Sequence, residues 1–220
     1  MGAGAGRNIR GIVLSGVGAG AGEDMEGLTV GLIGAGAGRD LRGLALAVIG
    51  AGAGEDMTGI VAGGIGAGAG QDMTGIVFGG VGAGAGRDFT GLGAGFVGVG
   101  AGRRLRGAVL SGLVAGAGED ILGAAVGLGT VRAGERITGA AASLVSVASP
   151  EVRGVTLAAL NGIGFENRLR LRKVNERYTG IALGLFNHTE QLHGVQIGLV
   201  NHAANNPGWA RWLPLVNAHL

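Results

Sequence analysis

The chain has 220 residues, and glycine supplies 52 of them against only 3 prolines. That ratio, with no Gly-X-Y period, excludes a collagen-like triple helix, and 47% hydrophobic against 15% charged residues argues against disorder. The net charge of +2 does not indicate nucleic acid binding, and the absence of cysteine excludes disulfides and thiolate metal sites. With 4% aromatic residues, small aliphatic side chains must fill a thin core.

A 16-residue repeat organises the first part of the chain. One glycine, called position one below, recurs nine times with this spacing, and GAGAG follows the same period. The repeating glycines are Gly11, Gly27, Gly43, Gly59, Gly75, Gly91, Gly107, Gly123 and Gly139. So much glycine excludes a helical repeat, because each one costs about 1 kcal/mol inside a helix. Short coils in which each position holds one kind of residue predict strands that stack about 4.8 Å apart.

We therefore predict an all-β fold, a β-solenoid (β-helix) of stacked 14–16-residue glycine-rich coils with a C-terminal cap. Alanines at positions nine and eleven are expected to face the core, and glycines at eight, ten and twelve to form a smooth outer wall. Positions three and four are both often apolar, although neighbours on a strand point to opposite faces. One of these columns must face outward, and such an apolar stripe indicates an interaction surface.

Residue types predict the two corners of each coil. Position eight exchanges glycine for asparagine, the residues that most readily adopt positive φ, so it predicts a left-handed corner. The residues concerned are Gly18, Gly34, Gly50, Gly66, Gly82, Asn161, Asn187 and Asn201. The other corner carries a polar ladder at position fourteen, each member able to cap its own turn. This ladder consists of Asp24, Asp40, Asp56, Asp72 and Asp88.

Several patterns resemble chemical sites but are better explained by the repeat. GAGAG resembles a dinucleotide-binding loop, yet no helix-forming segment follows it. A Ca²⁺ site on the aspartates is disfavoured by neighbouring arginines, and a metal site at His188 and His202 lacks a carboxylate or cysteine at ligand spacing. Thr58, Thr74 and Thr90 form too short a ladder for an ice-binding face. We expect no enzymatic activity, no cofactor and no resident metal.

Three segments are distinguished within one continuous domain: regular coils over 1–153, an irregular coil with a basic insertion over 154–179, and shorter coils with the cap over 180–220. In the irregular segment arginine alternates with leucine, which predicts a strand with its basic side chains outward. The basic cluster consists of Arg168, Arg170, Arg172, Lys173 and Arg177. We interpret it as a solvated face; contact with lipid phosphates, polysaccharide or an acidic partner is the alternative.

The last segment contains GIALGLFN and GVQIGLVN and ends in WLPLVN. These motifs resemble bacterial surface-repeat proteins of the Leptospira type, in which GL-x-N coils recur. The resemblance implies an exported protein at the cell surface or outer membrane and assigns no functional residue. Trp209 and Trp212 are expected to cover the last coil, and Pro214 to stop further strand pairing. At the other end GAGAG begins mid-coil, which predicts a partner, a second copy or a longer array there.

These observations predict a non-enzymatic structural or surface repeat protein. We expect it to self-associate through its glycine-rich or apolar walls in a bacterial envelope or filamentous assembly, as a homo-oligomer or with an envelope partner. An outer-membrane-associated protein with its apolar stripe against lipid is one alternative, and a surface adhesin is another. No signal peptide precedes the repeats, so either an export signal has been removed or the protein is cytosolic; we favour the first, which corresponds to the predicted extracellular or cell-surface location.

Overall fold

The structure, a computed structural model, describes residues 2–166 and 170–220. It is an all-β, parallel β-solenoid of about 12 turns with a C-terminal capping strand, which confirms the predicted fold class. The chain divides into two compact units, Met1–Ser111 and Gly112–Leu220, which we describe separately. Among the described residues the only helical element is the 3₁₀ turn Gly208–Ala210.

The first unit contains seven coils, each made of a short and a long strand. The strands are β1 (Ala3–Ala5), β2 (Ile9–Ser15), β3 (Gly18–Ala21), β4 (Met25–Gly31), β5 (Gly34–Ala37), β6 (Leu41–Ala47), β7 (Gly50–Ala53), β8 (Met57–Gly63), β9 (Gly66–Ala69), β10 (Met73–Gly79), β11 (Gly82–Ala85), β12 (Phe89–Gly95), β13 (Gly98–Ala101) and β14 (Leu105–Ser111). Equivalent strands pair in parallel without a shift in register, so Met73 lies between Met57 and Phe89.

The core of the first unit is one side chain deep. Alanines at positions nine and eleven face inward from the short strands, as Ala51 and Ala53 show, and the intervening glycines face outward as predicted. Opposite them, the long strand buries its largest side chain at position fifteen and a smaller one at position three. In β8 these are Met57 and Val61, each 1% exposed. Because the short strand contributes only small side chains to the core, there is room for a methionine from the long strand opposite.

Positive φ angles occur at position one and not at the predicted corner. In the first unit the position-one glycines have φ between 112° and 130°, inside the long strands. The predicted left-handed corner is therefore wrong. Its glycines, Gly18, Gly34, Gly50, Gly66 and Gly82, instead begin the short strands β3, β5, β7, β9 and β11. The chain bends just before them, at positions six and seven, where backbone groups bond to the preceding coil, as from Ile49 N to Ile33 O at 3.0 Å.

Close approach between coils explains why position one is always glycine. A Cβ atom on Gly43 would collide with the carbonyl oxygen of Gly27 in the preceding coil, and the φ of 117° disfavours any other residue. The outer wall is less restrictive. A Cβ on Gly36, at position ten, would lie 3.5 Å from the oxygen of Gly52, an ordinary contact.

The second unit continues the same architecture and adds a hairpin and a cap. Its strands are β15 (Val114–Ala117), β16 (Asp120–Gly127), β17 (Thr130–Ala133), β18 (Arg136–Ser143), β19 (Ser146–Ala148), β20 (Glu151–Leu157), β21 (Leu160–Asn161), β22 (Ile163–Glu166), β23 (Arg170–Lys173), β24 (Arg177–Leu183), β25 (Phe186–Thr189), β26 (Gln191–Ala203) and β27 (Trp212–His219). Strands β22 and β23 form a separate antiparallel hairpin, and β27 pairs antiparallel with β26.

The asparagines predicted for the left-handed corner occupy a different place in the coil. Asn161 pairs with Val147, which is at position nine, so the bend between β20 and β21 is one residue shorter than in earlier coils. Asn161, Asn187 and Asn201 consequently point into the core, each 1% exposed or less. None has a positive φ; among described residues other than glycine, only Leu215 does, at 66°.

We predict that Gly43→Ala destabilises the protein by on the order of 3 kcal/mol, because it adds a strained φ and a backbone collision. Gly36→Ala is the matched control and should change the free energy of unfolding by less than about 1 kcal/mol. Urea unfolding followed by circular dichroism measures both. Equal midpoints for the two variants would contradict the close-approach argument.

Candidate functional site

An apolar face covers one side of the first unit. Position three is buried, as Val61 and Val77 show, whereas position four points outward, with Leu14 70% exposed. The predicted apolar stripe is thus present at position four, and two further columns widen it. Position two contributes Ile12, Ile60, Ile76 and Leu92, and position seven contributes Val17, Ile33, Ile49, Ile65, Val81 and Val97, all exposed. We call these three columns of residues 1–111 the apolar face.

The position-four column alternates in size along the stack. Paired residues run Leu14, Val30, Leu46, Ala62, Phe78, Ala94 and Leu110. From Leu46 onward one alanine separates successive large side chains, which therefore lie about 9.6 Å apart at the usual strand spacing. The face is thus a row of projections and recesses.

The aspartate ladder joins neighbouring coils at the opposite, polar corner. The Oδ1 atom of Asp56 accepts the backbone N–H of Asp72 at 3.1 Å, and Asp72 accepts that of Asp88 at 3.2 Å. These carboxylates thus cap the following coil, whereas we predicted that each caps its own turn. Arginines pair with four of these aspartates: Arg39 lies 3.0 Å from Asp24, and salt bridges of 2.7–3.0 Å join Arg42 to Asp40, Arg87 to Asp72 and Arg104 to Asp88.

The charges of this ladder are matched to their surroundings. Hydrogen bonds from Arg39 lower the pKa of Asp24, and those from Arg104 lower the pKa of Asp88. These pairs lie at the surface, where solvent screens an ion pair and its contribution to stability is small. Among the described residues there is no group of three or more histidine, aspartate or glutamate side chains placed to hold a metal ion.

A second ladder, of asparagines, runs through the core of the second unit. Asn161 Nδ2 donates to Asn187 Oδ1, and Asn187 Nδ2 donates to Asn201 Oδ1, both at 2.7 Å. The same amides also bond backbone carbonyls at the shortened bend, including Leu183 O at 2.9 Å. Apart from Asn161 Oδ1, which has no partner, the amides of this ladder are paired with one another, and a slip in register would break these bonds.

Two histidines stack beside this ladder. His188 and His202 follow the paired Asn187 and Asn201, so they lie at position ten, and their rings are 4.7 Å apart and nearly parallel. Their Nδ1 atoms are 2.8 Å apart, so one of them must be deprotonated. Burial, together with repulsion from His202 and Lys173, lowers the pKa of His188 to about 4, although Glu190 opposes this. Burial also lowers the pKa of His202.

The structure separates the predicted basic cluster. Arg172 and Lys173 end the hairpin strand β23, as the predicted strand requires, but the hairpin lies outside the solenoid coils. Arg177 begins the coil strand β24 and donates to Gln191 at 3.4 Å. Arg168 is outside the described residues, and only the backbone of Arg170 is described. The cluster is thus not one continuous face.

The cap is formed by a strand more than by bulky side chains. Strand β27 covers β26 through antiparallel backbone pairing, with an irregularity between Gly198 and Asn201. Pro214 lies opposite this irregularity, where a missing N–H is tolerated. Trp212 contacts His202, with ring centroids 4.3 Å apart, whereas Trp209 is 81% exposed and does not cover the coil end as predicted.

One charged residue on the outer wall, Arg132, was not predicted as a site residue from the sequence. Position ten holds glycine in eight coils in succession, from Gly4 to Gly116, and the next coil places Arg132 there. This break in a nearly invariant column is the signal that identifies it. Arg132 and the histidines at position ten belong to the part of the wall beside the inserted hairpin.

Comparison with protein-family models, curated proteins and solved structures finds no match to this chain. Within residues 2–166 and 170–220, no helix has the length and apolar character needed to cross a membrane. We therefore base the proposed function on the geometry of this chain.

We predict that acid selectively weakens the cap. His188 has a folded pKa of about 4 against an ordinary value of 6.5, so it stabilises the fold fully above pH 6.5 and loses this contribution as pH falls toward 4. The full shift corresponds to on the order of 3 kcal/mol. Both tryptophans of the chain lie in the cap, so their fluorescence during urea unfolding between pH 7 and 4.5 measures the effect.

The variant His188→Gln should flatten this pH dependence, since it removes the group whose pKa differs most between the folded and unfolded states. Exposed His193 provides the control, because His193→Gln should leave the pH profile of the wild-type protein unchanged. An unchanged profile in His188→Gln would show that other groups cause the acid sensitivity.

Proposed function

We propose that this protein is a non-enzymatic structural repeat protein that associates with copies of itself through the apolar face. The alternation of large and small side chains at position four carries the proposal. A second copy has the same spacing between coils, so an offset of one coil places its large side chains opposite the recesses of the first. Interdigitated side chains of this kind form dry, tightly packed interfaces.

The extent of the face supports the same conclusion. Its columns extend over seven coils, or about 30 Å at the usual strand spacing, and present on the order of 1,000 Å² of apolar surface. Monomeric soluble proteins rarely expose more than a few hundred Å² in one patch. The charged side chains of the first unit lie at positions thirteen, fourteen and sixteen, so none falls within the three columns of the apolar face.

A location at the bacterial cell surface is part of the proposal and rests on the resemblance of the C-terminal coils to surface-repeat proteins. In that setting, self-association would build an envelope layer or a filament. Lipid is the competing occupant of the apolar face. It requires apolar surface but no alternation in side-chain size, and this difference makes the two functions separable by experiment.

We predict that Ala62→Phe/Ala94→Phe weakens self-association at least tenfold, because it fills two recesses while keeping the face apolar. Sedimentation velocity across about 1–100 µM protein measures this, and Gln71→Lys at the polar corner should associate like wild type. Phe78→Lys should also weaken self-association, since it places a charge in the interface.

Vesicles of phosphatidylcholine and phosphatidylglycerol distinguish the lipid alternative. If the apolar face binds lipid, wild type and Ala62→Phe/Ala94→Phe should both float with the vesicles, and Phe78→Lys should not. A wild-type protein that stays monomeric at about 100 µM would overturn the self-association proposal.

A further inference from the structure

The inserted hairpin encloses a cavity on the otherwise flat wall of the second unit. The chain leaves the coil at Gly162, where φ is 77° and a Cβ would collide with the carbonyl oxygen of His188. It returns at Val174 and Asn175, whose N–H groups both bond to Gly162 O. The hairpin therefore emerges at position ten and lies beside the column that contains Arg132 and the two histidines.

The cavity has a volume of about 530 Å³. It lies between the hairpin, the wall at Arg132 and the coil that contains His188 and Glu190. This volume is within the 300–1,000 Å³ typical of small-molecule sites. No phenylalanine, tyrosine or tryptophan is among its described lining residues, so the lining suits a hydrophilic ligand better than an aromatic one.

Two cations beside the cavity lack carboxylate partners. Within the described part of the chain, neither Arg132 nor Lys173 forms an ion pair, whereas arginines in the neighbouring coils do, as Arg136 does with Glu151 at 2.8 Å. Arg132 also stands where the preceding coils have glycine. Arg132 is exposed and contributes nothing to the core, so its guanidinium is available to a ligand of opposite charge.

Buried polar atoms of the lining lack hydrogen-bond partners. Asn175 is 2% exposed; its Nδ2 donates to Ser149 O at 3.0 Å, but its Oδ1 has no partner. His188 is 1% exposed and its Nε2 also has none, although Glu190 Oε1 lies 3.4 Å away. Buried polar groups are nearly always hydrogen-bonded, and of the seven buried side-chain atoms without a partner in the described part of the chain, two line this one cavity, which favours a polar occupant.

We propose that this cavity binds a sugar acid, a small molecule with one carboxylate and several hydroxyl groups. The carboxylate lies between the side chains of Arg132 and Lys173. Ligand hydroxyl groups donate to the Oδ1 of Asn175 and to the carboxylate of Glu190. The combination of cations with hydrogen-bond acceptors selects this class of ligand. A simple anion would leave the acceptors without a donor, and a neutral sugar would leave the cations without an opposite charge.

Isothermal titration calorimetry with galacturonate, galactose and inorganic phosphate tests the proposal on the full chain. Galacturonate should bind wild type, and galactose should bind at least tenfold more weakly because it lacks the carboxylate. Arg132→Gln should weaken galacturonate binding about 10- to 100-fold, as expected for loss of a charged hydrogen bond. Arg106→Gln removes the same charge from the first unit and should bind like wild type.

Three outcomes would overturn the proposal. Phosphate binding as tight as galacturonate would show a site for bare anions, and galacturonate binding that Arg132→Gln leaves unchanged would place the ligand elsewhere. Absence of galacturonate binding to wild type would also contradict it. Circular dichroism of each variant confirms the fold, and Lys173→Gln gives a second variant with the same expected loss.

Discussion

The close approach of successive coils at position one is the constraint on which the rest of the structure depends. At Gly43 the backbone of one coil lies so near the carbonyl of Gly27 that no Cβ fits, and the chain passes this point with positive φ. A glycine is therefore needed once in every coil. Because this glycine recurs at one place, it also holds the coils in one register. Each of the remaining positions therefore stacks on the same position of the neighbouring coil.

Thin coils determine where the apolar residues lie. The interior of each coil is filled by two alanines from the short strand and by one large and one smaller residue from the long strand. Examples are Ala51, Ala53, Met57 and Val61. The interior has no room for further large side chains. The remaining isoleucine, leucine and phenylalanine side chains of the same strands must then point outward, and their stacking converts a local surplus of apolar residues into an extended face.

The structural features that depend on the 16-residue period were predicted correctly from the sequence, whereas predictions were wrong where this period changes. Stacked strands, inward alanines and an outward apolar column all follow from a strict 16-residue spacing and strand alternation. Counting from position one misplaced Asn161 by one residue, because the bend before it is shorter and only strand pairing reveals this. The same counting attributed positive φ to the glycines at position eight, where a Cβ would make an ordinary contact, as at Gly34, and it passed over Arg132 because it is a single exception.

A solenoid wall has little concavity of its own, because stacked strands with small outward residues make a flat surface. A cavity requires either a long side chain on the wall or a segment that leaves the coil, and the second unit has both near one another. Arg132 rises from the wall, the hairpin begins at Gly162, and His188 is buried beneath it although the same position is half exposed as Gly84 in the first unit. The departures from the repeat thus coincide in space, which regular stacking alone does not require.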